Sequence, residues 1–422
     1  MQFASEFSAL LQALLYGLER LVRNEQTPVE EKKMHIPKGR NKMKYFVTGA
    51  TGFVGGRVVR QLLEAGHEVV ILARKPAKAS GQFGPSVRIQ QGDITEKESL
   101  RKPMEGVDGV FHIAGWFKIG VRDTSQGQRI NVEGTRNVLE TMQELGIPKG
   151  VYTSSVVVYS NTHGQLVAET YRFDGHTFLN EYERTKWVAH YQVAEPMIEA
   201  GLPLVIVLPG PVYGPGDTNI VHSVLAQYLQ RKLPVLPTVT AFSFVHVDDV
   251  ARGHLLAMEQ GRPGECYHLT GETYTLVETM RLAEKITGVP APRLKASPAV
   301  FKTLSVIMSV VEKLLPVPDE YTAEYLRSIA GVTYLGDYSK ASRELGYQPR
   351  AFEAGMAETL HHEMEVLGMK APALAGYFWA DKRMTAQVFS VTIRRAASRT
   401  TCLHAMTEEA FPAMRAEVSR AA

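Results

Sequence analysis

Cysteine is nearly absent: Cys266 and Cys402 are the only two in 422 residues, and they stand far apart. That excludes a disulfide framework and a cysteine-based metal cluster, and it suits a reducing cytoplasm. No stretch of ~20 uncharged apolar residues occurs, so no transmembrane segment is expected. An excess of one charge is lacking too. Lys and Arg total 47 against 44 Asp and Glu, a net +3, too little to argue for nucleic acid or an anionic membrane as partner. The N-terminus lacks the basic start and small-residue cleavage site of a secretory signal. What remains is ordinary globular composition, 45% apolar and 22% charged, in a chain long enough for two or three domain-sized units.

Three zones separate. Residues 1–42 form a leader. Phe3, Phe7, Leu10, Leu11, Leu14, Leu15, Leu18, Leu21 and Val22 recur at helical spacing, which predicts one amphipathic helix over 3–22. Such a helix docks on its own domain or on a second subunit; the sharper reading is peripheral contact with a membrane surface. A polar linker with Pro28, Pro37 and Gly39 follows. Met43 stands where a domain typically starts, so a misplaced start site accounts for the leader equally well. Residues 370–422 form a tail without a recognisable motif; a helix over 408–420 is expected there.

Between them, residues 43–208 alternate apolar β-branched runs with helical patterns. Strands are expected at 44–48, 68–72, 87–90, 109–113, 150–154 and 204–208, and helices at 55–65, 135–145 and 182–200. This alternation predicts an α/β fold, a doubly wound parallel sheet covered on both faces. From 209 to 369 the rhythm breaks into loops and helices with returns to strand at 243–247 and 266–269. This part reads as a smaller substrate-binding portion interleaved with the last strands.

The turn after the first strand reads Thr48-Gly49-Ala50-Thr51-Gly52-Phe53-Val54-Gly55. Gly49 permits a tight turn, Gly52 lets a pyrophosphate approach, and Gly55 lets the helix pack on the sheet. The helix N-terminus, with the N–H groups from Thr51 to Val54, then faces the phosphates. A glycine triplet alone is weak, but strand before, helix after and a second strand ~20 residues on are the context that the fingerprint requires. At the end of the second strand an acid would bind ribose hydroxyls and repel a phosphate. Ala73 stands there instead, followed by Arg74 and Lys75, cations suited to a 2′-phosphate. NADP(H) is therefore favoured, with NAD(H) as the alternative. Asp93, followed by Ile94, is placed either to accept from an adenine amino group or to cap a helix together with Glu96. Ile113, Ala114 and Gly115 are small enough for backbone to run beside a nicotinamide ribose. His112 has no metal-ligand partners at suitable spacing and reads as a packing residue.

Tyr182 and Lys186 are four apart on a predicted helix and share a face. A neighbouring ammonium and an oxidised nicotinamide would lower the phenol from its usual value near 10 and allow proton exchange with a substrate oxygen. Ser155, at the end of the fifth strand, would hydrogen-bond that oxygen, and Lys186 would also hold ribose hydroxyls. A Tyr–Lys pair at this spacing is common by chance; with the serine and the upstream cradle in order, the catalytic reading dominates.

With these residues on view, the chain resembles the extended short-chain dehydrogenases/reductases of the NAD-dependent epimerase/dehydratase family. The resemblance covers about 43–369 and rests on residues 48–55, Gly92-Asp93, 131–135, Thr153-Ser154-Ser155, Tyr182–Lys186, 208–217, 245–251 and 337–346. It implies a Rossmann-type cofactor domain, catalysis by Ser155, Tyr182 and Lys186, a nicotinamide near Pro209 and Val212, and a small-molecule substrate under the C-terminal portion. Dimers are common in such a family, so a homodimer is possible. Two departures bear on the substrate. Pro211 stands where the nucleotide-sugar branch usually has Asn, and Phe242 where it usually has Arg, and both remove diphosphate ligands. Residues 298–315 carry an apolar stripe expected to be buried in the smaller portion, or else to act as a lid over an apolar substrate. The chain thus looks like the dihydroflavonol reductase-like branch. A nucleotide-sugar epimerase or dehydratase on bound NAD is the alternative, and a non-catalytic cofactor-binding sensor is a distant third.

Overall fold

A computed structural model describes residues 42–370, Pro316 excepted. The helices expected over 3–22 and 408–420 lie outside the described residues.

Seven strands form one all-parallel sheet: β1 Lys44–Thr48, β2 Glu68–Ala73, β3 Arg88–Gln91, β4 Gly109–His112, β5 Gly150–Thr153, β6 Leu204–Pro209 and β7 Cys266–Leu269. Their order is β7-β6-β5-β4-β1-β2-β3. The register sets Val47 opposite Ile71 on one side and Phe111 on the other. Successive side chains leave a strand on opposite faces. Tyr45 and Val47 accordingly join one core with Val58, Leu62 and Leu255, while Phe46 joins the other with Val110, Val138 and Leu139. Because both faces are covered, the central strands are almost wholly apolar; every residue of β6 is buried.

The chain leaves β1 in one direction for β2 and β3, then crosses back to β4. At such a switch point a crevice opens beyond the carboxyl ends of β1 and β4. The helix Phe53–Glu64 begins at its edge. The helix carrying the Tyr–Lys pair runs as Glu181–Trp187, a wide π turn over Val188–Ala194, and Glu195–Glu199. A second π turn, Gln128–Gly134, holds Asn131; such wide turns are frequent at functional sites.

Two expectations for the smaller portion are corrected. The run 243–247 is not one strand. Ala241–Ser243 pairs with Thr273–Thr275 and Thr333–Tyr334, whereas Val245–His246 pairs with Val212–Tyr213. Phe244 separates them, giving its N–H to Glu272 and its ring to a core with Tyr213 and Phe352. The helix Pro298–Leu314 does not bury its stripe. Only Phe301 and Ser305 are buried, and Phe301 packs on Leu326 and Ala330. The neighbour Ala323–Ile329 is short and covers one narrow face, so the broader apolar face points outward.

Candidate active site

A cavity of about 680 Å³ runs from the glycine turn into the smaller portion. Gly49, with φ +70, makes the turn. A Cβ there would lie 2.6 Å from the Ala114 nitrogen, and one on Gly55 would overlap the Gly49 carbonyl oxygen. Turn, β4 end and helix start are thus in backbone contact, and Gly52 N–H closes the turn on Gly49 O at 2.9 Å. The space left in front of the helix N-terminus fits a pyrophosphate, and its lining includes Gly49, Thr51, Gly52, Phe53, Val54 and Gly55.

No role for Thr48 is legible in the sequence, yet its hydroxyl organises the β1–β4 junction. It accepts the N–H groups of Ile113 and Ala114 at 3.1 and 3.2 Å and meets His112 Nδ1 at 2.8 Å. An oxygen already accepting twice gives its own proton to Nδ1, so His112 carries its hydrogen on Nε2 and donates to Thr135 Oγ1 at 3.0 Å. Burial pushes His112 down to about 3, with Lys186 adding to the effect. His112 is therefore a neutral packing residue, as its spacing suggested. Asn131 clamps the next segment: its Oδ1 accepts Trp116 N–H at 2.7 Å, and its Nδ2 donates to Trp116 O and to Thr185 Oγ1 on the tyrosine helix. The place of Asn131 in the 131–135 motif that carries the family resemblance was the available signal, without a geometry attached.

At the ends of β2 and β3, Ala73, Arg74, Asp93 and Ile94 line the cavity. Arg74 is exposed and makes no hydrogen bond or ion pair among the described residues. Lys75 is exposed, starts the helix Pro76–Phe83 and is not part of the lining. Asp93 closes a local turn, its Oδ1 accepting from Thr95 N and Oγ1. Capping with Glu96 does not occur, because the helix starts at Glu98.

At the end of β5 three hydroxyls stand in sequence, and packing sorts them. Thr153 Oγ1 pairs with His254 and Ser154 Oγ with His190, both at 2.8 Å. Ser155 lines the cavity, its Oγ donating to the Pro209 carbonyl at 3.5 Å and accepting Val157 N–H at 3.4 Å, and its hydroxyl favours the Tyr182 phenolate. Lys186 is 5% exposed and donates to the Thr153 carbonyl at 2.7 Å. Asn180 caps the helix by accepting Glu183 N–H at 2.8 Å, and the Glu183 carboxylate accepts from Leu179 N–H. Phe117 stands edge-on to Tyr182 with centroids 4.7 Å apart.

Removal from water pushes Tyr182 up, to about 12, and the Ser155 contact only moderates this. The same desolvation brings Lys186 down to about 7. In the protein alone burial dominates, so Tyr182 is a protonated phenol at neutral pH.

The far end of the cavity is lined by Leu233, Phe242, Met280, Phe301, Leu326 and Tyr334, among others. Phe242 stacks on Tyr334 at 5.8 Å. Among the described lining residues the cations are Arg74 and Lys186, both at the dinucleotide end.

A parallel sheet with a glycine cradle at its switch point and a Ser–Tyr–Lys cluster beside it defines an NAD(P)-dependent enzyme of the extended short-chain dehydrogenase/reductase type. Residues 45–270 match the NAD dependent epimerase/dehydratase family, and the chain belongs to it. It is 31% identical, over 75% of this chain and 93% of the relative, to a Synechocystis protein provisionally named dihydroflavonol 4-reductase. It is 29% identical to sterol demethylase protein B of Methylococcus capsulatus, over 75% of this chain and 97% of that one. Among solved structures, gox2253 superposes with a TM-score of 0.69 at 30% identity, covering 78% of this chain and all of its own.

Proposed function

We propose that the protein is an NADP(H)-dependent oxidoreductase that reduces a ketone or aldehyde, or oxidises the corresponding secondary alcohol, on a fairly apolar substrate. The observation that carries this reading is the division of one cavity. Cations line only its dinucleotide end, while the substrate end is mainly aromatic and aliphatic, with neutral polar groups from Asn219, Gln227, Thr279 and Ser328. A sugar diphosphate buried there would leave its charges unpaired, at a cost of several kcal/mol. The sterol and dihydroflavonol names of two relatives point to substrates of the same apolar kind.

When bound, a reduced nicotinamide would supply the hydride for the carbonyl carbon. Tyr182 donates its proton to the carbonyl oxygen as negative charge develops on it, and the Ser155 hydroxyl donates a hydrogen bond to that oxygen. A phenol held protonated is ready for this direction. Lys186, held by Thr153 O, offers its remaining N–H donors to ribose hydroxyls, and a positive charge there eases loss of the Tyr182 proton. Gly49, Gly52, Gly55 and the N–H groups of Thr51, Phe53 and Val54 cradle the pyrophosphate. Ile113, Ala114, Gly115, Pro209 and Val212 flank the nicotinamide ribose, and Asp93 and Ile94 the adenine. Arg74 pairs with the 2′-phosphate; Lys75, outside the lining, adds only to the local positive field.

The test is a reductant-consumption screen with NADPH and NADH against apolar ketones, aldehydes and UDP- and dTDP-sugars. Oxidation of NADPH with a ring ketone is expected. Interconversion of a sugar nucleotide on NAD, without net consumption of cofactor, would replace this reading with the epimerase one.

A further inference from the structure

We infer that the helix Pro298–Leu314 is a docking surface for an anionic phospholipid bilayer, lying in the plane of the headgroups. The outward face of this helix is apolar, the reverse of an ordinary surface helix. Val300, Leu304, Ile307 and Leu314 follow one another at helical spacing, with Val306 and Val310 alongside. Exposure reaches 67% for Val306, 57% for Val310 and 79% for Leu314. The inward face is Phe301 and Ser305. Scattered exposed apolar side chains need no explanation, but a continuous stripe along a whole helix marks an interaction surface.

Charge around the stripe selects the partner. Between residues 293 and 315 stand Arg293, Lys295, Lys302 and Lys313, all exposed, against a single acid, Glu312. Glu312 is occupied, its carboxylate accepting the Ala323 N–H at 3.0 Å. Arg122 adds a further cation at the helix end, donating to the Glu312 and Leu315 carbonyl oxygens. Lys302 and Lys313 lie on one border of the apolar face, where long stems let ammonium groups reach headgroup phosphates while the valines enter the acyl boundary. A net charge of +3 spread over the chain hides this local concentration. The same helix contributes Phe301 to the cavity wall, so docking sets the apolar end of the cavity against the lipid from which an apolar molecule would come.

The test is flotation of the full chain with vesicles of phosphatidylcholine alone or mixed with phosphatidylglycerol. Wild-type protein is expected on the mixed vesicles. The exposed double substitution V306E/V310E should weaken this at least about tenfold, with the melting temperature and NADPH binding kept. K302E/K313E should abolish the preference for the anionic vesicles, and as a surface change it reports even if the first variant folds poorly. Equal binding by wild type and both variants would overturn the inference and pass the role to another segment, such as residues 3–22. No binding by wild type, or a solution dimer that V306E/V310E dissociates, would overturn it as well.

Discussion

Lys186 hangs its ammonium on the Thr153 carbonyl oxygen, 2.7 Å away, two residues before Ser155 at the same strand end. The bond ties the tyrosine helix to β5 and so fixes the separation of Tyr182 and Ser155. Lys186→Met is expected to lower carbonyl reduction by ~10²–10⁴-fold and to weaken cofactor binding, read by steady-state kinetics and by NADPH fluorescence titration.

Tyr182→Phe removes the proton donor and leaves the ring packed on Phe117. Reduction should fall by ~10²–10⁴-fold while NADPH affinity stays within a few-fold of wild type. Unchanged turnover would refute the assigned acid.

A methyl group on Gly55 would occupy the space of the Gly49 carbonyl. Gly55→Ala should cost about 1–3 kcal/mol of stability, seen as a lower melting temperature, and should weaken dinucleotide binding by displacing the turn.

Arg74 has no partner among the described residues, so its removal disturbs little in the protein alone. Loss of a charge-assisted contact to a 2′-phosphate is worth about 1.5–3 kcal/mol. Arg74→Ala should therefore raise the KM for NADPH about ten- to hundredfold and leave that for NADH nearly unchanged. An equal effect on both would remove the preference proposed for NADP(H).

Glu183, next to Tyr182 in sequence, is fully buried and accepts from the Tyr334 hydroxyl at 3.1 Å. Burial pushes its carboxyl up to about 7 from a usual 4.5. Between those values the folded protein holds more protons than the unfolded chain, so its stability falls as pH rises through that window. Glu183→Gln, an imitation of the neutral acid, should gain on wild type from pH 5 to pH 8 in melting temperature. The full difference is at most about 3 kcal/mol. A constant offset across that range would show that Glu183 does not titrate there.

Much of the cofactor half was readable because its determinants are local. Each parallel strand is a short apolar run, each helix a periodic one, and the glycine turn lies within eight residues, so the boundaries of β1, β6 and β7 agree with expectation to within a residue. Asp93 shows the limit of local reading: capping and ligand binding were both open, and the Thr95 turn that forms is a third arrangement of similar local energy. The break at Phe244 was hidden because it depends on where Glu272 and Phe352 arrive from later in the chain.

By itself the sequence determined a doubly wound parallel sheet, the phosphate turn at its switch point and the order of Ser155, Tyr182 and Lys186, since periodicity and spacing act within a few turns of chain. Only the tertiary structure decided that Thr153 and Ser154 pair their hydroxyls with His254 and His190, that Tyr182 is held protonated in the protein alone, and that the stripe of Pro298–Leu314 points outward. Those outcomes depend on desolvation and on which surfaces neighbours cover, quantities set by how segments outside the local sequence window pack together.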